Sequence, residues 1–366
     1  MARFALLIAV LVGLGEVMRR VFPSASPADA PVEAPTLARP AEADTEALMD
    51  AVLHATQDAS LADLAPLLDE VALERAAFRG LPSRAVGRAR FDFRMADVAQ
   101  SLLIGPMAEG GRVARLPDRV ADAEEDRVWA RLRLLRPSGA VDHISLAVAR
   151  HEGRTAIVDL RTWTMAGPLT EVLREQVAPA VVAGGWDPAR VMRRRRVAAF
   201  LDAPTAEASF DAFAALDPED QDVVMHLVRI DRAPPDAGSP LRRQALADLV
   251  ARFPDHPAAR VHAVELAHLD GHHAAAAAFL DGLQATEGPD AYLHVLAAFE
   301  HQHAGDLADA RLALDRAAAL EPTLSDVPLA RLVVALSEGD DAEAAALIRE
   351  LDQAWGIDLA AELDLD

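Results

Sequence analysis

Three glycines, Gly271, Gly305 and Gly339, stand 34 residues apart in the C-terminal third of the chain. Each is followed five residues later by an alanine, and four residues after that by a large aliphatic side chain. These residues are Ala276, Ala310 and Ala344, then Leu280, Leu314 and Ile348. A 34-residue period is typical of paired helices stacked in an array. The pattern predicts an all-α helical repeat over 257–358, in which each glycine supplies the positive φ that ends a first helix.

The middle unit shows the pattern most fully. It contains His301-x-x-x-Gly305-Asp306-Leu307-x-x-Ala310-x-x-x-Leu314-x-x-Ala317-x-x-x-x-Pro322. These residues resemble the tetratricopeptide repeat, although His294 and His301 replace the Trp and Tyr usual on its first helix. The resemblance implies a solenoid of three repeats at 257–358. It also implies that the helical segments at 185–256 are degenerate repeats that cap the array.

The same resemblance implies a binding groove lined by the first helix of each unit, which would hold a protein or peptide partner. In this sequence the polar and aromatic residues at the groove positions are Glu265, His268, Tyr292, Phe299, Gln302, His303 and Asp326. Tyr292 and Phe299 lie seven residues apart on one helix face. They are therefore the expected anchors for an apolar side chain of the partner.

A smaller domain is predicted at 44–180. Apolar residues recur with a helical period from Leu48 to Val71, with a break at 58–60. Farther along, the period becomes two in three successive segments, which predicts an antiparallel meander. The alternating residues are Val128, Ala130, Leu132 and Leu134, then Ile144, Leu146 and Val148, then Ala156, Val158 and Leu160.

The turns between these strands, 137–139 and 151–153, each end in glycine and are read as three-residue hairpin loops. This register places Ile144 between Leu132 and Leu160. It places Val148 between Val128 and Ala156. A two-residue loop would pair the aliphatic residues with charged ones, which burial disfavours.

Helices followed by a meander, carried by the stretch Val128–Trp163, are similar to the cone-shaped fold of nuclear-transport-factor-like and ketosteroid-isomerase-like domains. That fold serves both enzymes and inert modules. An enzyme would use Asp159 as proton acceptor and His143 as its partner on the second sheet face. We expect this charged face to lie outward, where a carboxylate lacks the desolvated site that such chemistry needs.

Composition excludes several classes of function. The chain of 366 residues carries a net charge of −22, whereas nucleic-acid binding requires a basic face. The basic cluster of Arg190 and Arg193–Arg196 points all round a helix, so we expect it to be solvated or packed on acidic residues. There is no cysteine, which excludes disulfides and thiolate metal sites. No cofactor is expected.

Eight of the twelve histidines fall between 256 and 303. A metal site would pair His268 with His272 at i,i+4, or would use His301 and His303. No carboxylate–histidine motif such as H-E-x-x-H accompanies them. We therefore expect these histidines to occupy solvated turns and helix faces, with no metal.

The N-terminus has the features of a targeting segment. Residues 4–15 form an unbroken apolar run between Arg3 and Arg19. As a helix the run spans about 18 Å, which is short for a bilayer core but suits a signal peptide. We expect a signal peptide or signal-anchor at 1–22, a Pro/Ala-rich linker at 23–43, and an exported or membrane-anchored, extracytoplasmic protein. A start at Met18 would instead give a cytoplasmic product.

Together these patterns predict an α+β protein with a small helices-plus-meander domain followed by an all-α repeat array. The expected function is a non-catalytic scaffold or adaptor. One alternative is an enzyme or small-ligand-binding protein that uses the α+β domain. The other is a purely structural envelope-associated protein.

Overall fold

The computed structural model describes residues 31–81, 95–116, 126–136, 141–165, 167–174, 196–234 and 238–355. Within these residues the chain is an α+β protein with one antiparallel sheet and a C-terminal run of packed helices. It divides into two compact units. The first extends to Leu249 and includes 256–258, and the second comprises 250–255 and the residues from Ala259 onward.

The predicted targeting segment at 1–22 lies outside the described residues. In the part of the chain that is described, no helix is long and apolar enough to cross a bilayer. The linker prediction is wrong for the segment after residue 30. Val32 exchanges backbone hydrogen bonds with Gly80 and Leu81, and strand β1 (Leu37–Ala38) pairs with the sheet.

The first unit begins with helices whose limits follow from local capping. Ser60 accepts a hydrogen bond from the backbone N–H of Asp63, and Asp69 accepts one from that of Ala72, so each side chain caps the helix that follows. A π-helical turn at Gln100–Ile104 joins two short helices. The helices are α1 (Glu42–Gln57), α2 (Leu61–Leu64), α3 (Glu70–Phe78), α4 (Met95–Ala99) and α5 (Gly105–Ala108).

The sheet is the predicted meander with two additional strands. Its strands are β1, β2 (Arg112–Arg115), β3 (Val128–Leu135), β4 (Val141–His151) and β5 (Arg154–Thr162). β4 lies between β5 on one side and β3 with β1 on the other, and β2 is the outer neighbour of β3. The aliphatic face of the meander forms the main core with the helices, where Met49, Val52 and Leu103 are almost fully buried.

The pairing of β3 with β4 is the predicted one, because Ile144 lies opposite Leu132 and Val148 lies opposite Val128. The loop at 137–140 itself lies outside the residues that the structure describes.

The hairpin between β4 and β5 differs from its prediction. His151 pairs with Arg154, so the loop has two residues and not three. Those residues, Glu152 and Gly153, have φ values of 51° and 85°. Positive φ at both positions is what a type I′ turn requires, and this turn matches the twist of the flanking strands.

A β-bulge between Ala147 and Val148 keeps the aliphatic side chains buried despite the shorter loop. It adds one residue to β5, so that Val148 lies opposite Ile157 and not Ala156. The prediction assumed one constant register along the hairpin, and the bulge breaks it. Beyond the bulge the pairs are Ala147–Asp159, Leu146–Leu160, Ser145–Arg161 and Ile144–Thr162.

After the sheet and the helical turn at 169–174, the described residues form four further α-helical segments, near the positions that the sequence predicts. They are 196–201, α6 (Ala206–Ala214), α7 (Val223–Arg232) and α8 (Pro240–Arg252). Phe200, Phe213 and Met225 form a core shared by 196–201, α6 and α7. Of the predicted basic cluster only Arg196 is described, and it pairs with Asp217. That these segments are degenerate repeats stays a prediction.

The second unit contains the helices of the predicted repeats. They are α9 (Pro257–Leu269), α10 (His273–Glu287), α11 (Ala291–Ala304), α12 (Leu307–Leu320), α13 (Asp326–Glu338) and α14 (Asp341–Trp355). From α10 onward each helix packs on the next, and α11 also packs on α13. Pro322 lies in the turn after α12.

Gly271, Gly305 and Gly339 end α9, α11 and α13 in one repeated geometry. Their φ values are 70°, 84° and 73°. The glycine N–H donates to the carbonyl three residues back, and the next N–H donates to the carbonyl five residues back at 2.8–2.9 Å. This is the Schellman arrangement, which left-handed glycine favours.

The alanine and aliphatic positions of the pattern are mostly buried. Ala276, Ala310, Ala317, Ala344, Leu280 and Leu314 are at most 4% exposed. Ile348, in the last helix, is only half-buried.

Replacing Gly305 with Ala is expected to lower the free energy of unfolding by about 1–2 kcal/mol, because an L-residue resists the left-handed conformation. No atom lies within 4 Å of the added Cβ, so the cost is conformational. Gly282→Ala is the matched control. It is also free of contacts but lies inside α10, where alanine should stabilise by up to about 1 kcal/mol. Urea unfolding followed by circular dichroism measures both, and shifts of the same sign would contradict this role of Gly305.

Candidate functional site

One face of the sheet carries buried polar side chains. Arg131 and Arg133 on β3, His143 and Ser145 on β4, and Asp159 on β5 are each at most 7% exposed. That these residues share a face follows from their alternation in the sequence. The expectation that the face lies outward is wrong, because a period of two identifies the residues of one face and not what covers it.

The strand register sets the neighbours on this buried polar face. Ser145 lies between Arg131 on β3 and Arg161 on β5, and His143 lies opposite Arg133. The face therefore places basic side chains on both strands that flank β4.

Two tryptophans lie on the same face. The ring centroids of Trp163 and His143 are 4.5 Å apart. The guanidinium carbon of Arg161 lies 4.8 Å from the ring centroid of Trp129, which is a cation–π distance. The aromatic rings thus contact the polar groups, so their fluorescence reports on this face.

Asp159 is fully buried and connects the sheet to the helical turn at 169–174. Its Oδ1 accepts hydrogen bonds from the backbone N–H groups of Leu160 at 2.8 Å and Thr170 at 3.2 Å. Its Oδ2 accepts one from the hydroxyl of Thr170 at 2.5 Å. Both carboxylate oxygens are therefore engaged, and Asp159 acts as a cap for this turn.

Burial raises the pKa of Asp159 to about 6. Burial removes water from the carboxylate and so disfavours its charged form. The hydrogen bonds from Thr170 and Leu160 and the positive charge of Arg127 act in the opposite direction. The carboxyl group therefore changes its charge near neutral pH.

Six of the seven predicted groove residues keep exposed surface in the second unit, namely Glu265, His268, Phe299, Gln302, His303 and Asp326. Tyr292 does not, because its side chain is only 7% exposed. It lies in the first turn of α11, where Asp290 caps the helix by accepting from the Tyr292 N–H at 2.8 Å. The prediction of Tyr292 as a surface anchor is therefore wrong.

Four of these six residues occupy equivalent positions of α9 and α11, namely Glu265 and His268 on α9 and Phe299 and Gln302 on α11. The same two positions of α13 hold Val333 and Leu336, which the sequence analysis did not single out. We call these six residues, Glu265, His268, Phe299, Gln302, Val333 and Leu336, the first-helix strip. His303 and Asp326 lie outside it. Each residue of the strip is exposed or half-buried. Gln302 donates a hydrogen bond to Ser337 Oγ at 3.1 Å, so α11 and α13 also contact each other through side chains along the strip.

A second group of polar side chains lies beside the Gly271 turn. His268 Nδ1 is 2.8 Å from one carboxylate oxygen of Glu300, and His273 Nδ1 is 2.9 Å from the other. The ring of His303 stacks on that of His273 with centroids 4.9 Å apart. We call His268, His273 and Glu300 the His–Glu cluster.

The sequence interpretation paired other histidines. His272 is exposed at the turn, and it is His273, one residue later, that meets His268. The sequence does not predict Glu300 as a member of this group, because it lies 32 residues from His268 and 27 from His273. A search for polar residues flanking the Gly271 turn and near the end of the next first helix would have found the group.

No family model, curated protein or solved structure matches this chain.

Proposed function

We propose that helices α9–α14 form a tetratricopeptide-type solenoid, and that the chain is a non-catalytic scaffold that holds a protein or peptide partner on the first-helix strip. The 34-residue glycine period, the identical caps at Gly271, Gly305 and Gly339, and the packing of α11 on α13 support the solenoid. In such an array neighbouring units form one continuous surface, which suits an extended partner.

The main support for this proposal is that the first-helix strip is exposed. Leu336 is 47% exposed although its side chain is large and apolar. Phe299 and Val333, also apolar, are half-exposed at neighbouring positions. Apolar side chains that recur at equivalent exposed positions of adjacent helices are typical of a surface that a partner covers.

The character of the strip changes along the array. The α9 end carries Glu265 and His268, whereas the α13 end carries Val333 and Leu336. The whole chain is also strongly acidic, with a net charge of −22. The partner segment should therefore have an apolar anchor that contacts α13 and basic residues that contact α9.

In this proposal the α+β part of the first unit has a structural role and no catalytic one. Both oxygens of Asp159 bond to the turn at 169–174, which supports a structural carboxylate and not a proton acceptor for substrate. The similarity of this part to cone-shaped domains is a proposal about its fold and adds no activity.

The test compares two leucines with equal exposure. Leu336 on α13 and Leu312 on α12 are both 47% exposed, but only Leu336 belongs to the strip. The full chain, tagged at its C-terminus, is used to capture partners from extracts of its own source cells. Leu336→Lys should reduce capture of a specific partner by at least about tenfold, since a charge replaces an apolar contact.

Leu312→Lys should leave that capture unchanged. Loss of capture in the Leu312→Lys protein but not in the Leu336→Lys protein would move the binding surface to the second helices and contradict the proposal. Undiminished capture by both variants would also contradict binding on the strip, and capture of no specific partner by the unchanged chain would favour a purely structural array.

A further inference from the structure

The His–Glu cluster joins three helices at one point. His268 lies near the end of α9, His273 begins α10, and Glu300 lies in the last turns of α11. One ligand atom from each residue lies within 4.8 Å of the other two. Cis ligands of a cation with bonds of about 2.1 Å are about 3.0–3.4 Å apart, so the two nitrogen–oxygen distances of 2.8 and 2.9 Å need little adjustment.

Glu300 is the residue that sets the cluster apart from the rest of the array. The same position holds Leu266 in the preceding unit and Val334 in the following one. Glu300 is 8% exposed, although a carboxylate loses its hydration when it is buried and needs a positive partner. Glu300 therefore places a buried carboxyl group at a position where the neighbouring units have apolar side chains.

His303 adds a third imidazole at the border of the cluster. Its Nδ1 donates to the backbone carbonyl of Phe299 at 2.7 Å. A donating Nδ1 leaves the lone pair of a neutral ring on Nε2, which is the arrangement that metal-binding histidines use. The ring centroids of His303 and His268 are 5.9 Å apart, so His303 lies close to the cluster on its exposed side.

We propose that His268, His273 and Glu300 bind a divalent transition-metal cation of the zinc class. Two imidazoles and one carboxylate are a donor set that zinc accepts, whereas magnesium and calcium prefer oxygen ligands alone. A cation bound here takes the place of the two imidazole N–H groups that now face the oxygens of Glu300. It also joins α9 and α10 of one unit to α11 of the next, beside the α9 end of the first-helix strip.

The test uses the full chain purified without a histidine tag, with Zn²⁺ alone as the titrant. Calorimetry at pH 7.5 should show one tight Zn²⁺ ion per chain, and Zn²⁺ should raise the melting temperature because it binds only the folded state. Mg²⁺ should do neither. His273→Ala and Glu300→Gln should each weaken Zn²⁺ binding by at least about tenfold. Replacing a residue that only supports a metal ligand already costs about that much affinity, and loss of a ligand should cost no less.

The matched control is His272→Ala, which removes the adjacent exposed histidine and should bind Zn²⁺ like the unchanged chain. Glu300→Gln has nearly the shape of the native residue and keeps the result interpretable if His273→Ala fails to fold. Absence of tight Zn²⁺ binding overturns the proposal and leaves a hydrogen-bonded cluster. An equal loss in His272→Ala, or full binding in Glu300→Gln, overturns this choice of ligands.

Discussion

Replacement of Asp159 by Asn is expected to raise the free energy of unfolding by about 3 kcal/mol at pH 7.5 and by about half as much at pH 5.0. The folded-state pKa of Asp159 is raised to about 6 from an ordinary value of 3.8. Its contribution to stability is fully present below pH 3.8 and is lost as the pH rises through 6. Asn cannot ionise, whereas Asp159 becomes charged in the buried site as the pH rises, so the advantage of Asn over Asp grows over that interval.

The side chain of Asn can also keep the hydrogen bonds of Asp159. Its carbonyl oxygen accepts from the N–H groups of Leu160 and Thr170, and its amide donates to the hydroxyl of Thr170. Asp159→Ala cannot do this and removes the side-chain acceptor of the Leu160 and Thr170 N–H groups. At either pH it should be less stable than Asp159→Asn by about 2–4 kcal/mol.

Urea unfolding of the full chain at the two pH values, followed by tryptophan fluorescence, measures these differences, because buried Trp129 and Trp163 lie on the same sheet face. Lower stability of Asp159→Asn than of the unchanged chain at pH 7.5 would be the contrary result. It would mean that the buried polar face favours a charged carboxylate at this position, as a proton-transfer or ligand-binding site would.

Local patterns predicted much of the fold because they reflect local physics. Alternation located β3, β4 and β5, since burial of one face imposes a period of two. The glycine spacing located the ends of α9, α11 and α13, since the left-handed conformation belongs to single residues. The bulge in β5 opposite Ala147 and Val148 could not be predicted. Nothing in the sequence of β5 distinguishes Ile157 from Val158 as the residue that faces the core.

The candidate sites were harder to predict because they depend on contacts between distant segments. Arg133 and Asp159 are buried because other segments pack over that face of the sheet. The spacing of residues within a strand does not predict which segments do so. Glu300 meets two histidines from two other helices, and no fixed motif spacing describes such a meeting. Tyr292 was misjudged because family positions were transferred to a helix whose first turn is buried here.

Leu314 in α12 and Ile348 in α14 occupy the same position of the 34-residue pattern. Leu314 in α12 is fully buried, whereas Ile348 in α14 is half-buried. Leu314→Ala should lower the free energy of unfolding by about 3 kcal/mol, since truncation in a packed core leaves a cavity. Ile348→Ala should cost about 1 kcal/mol, because solvent already reaches that side chain.

The two variants should also differ in how the helices unfold. In a stacked array each unit is stabilised by its neighbours, so damage to an inner unit weakens the interfaces on both sides. Circular dichroism during urea unfolding should show that Leu314→Ala shifts the whole transition of the array. Ile348→Ala should only broaden its start, as α13 and α14 melt first. If both variants lost the same free energy of unfolding and gave identical unfolding curves, α9–α14 would unfold as one compact bundle. The first-helix strip would then not be a surface built from separate stacked units.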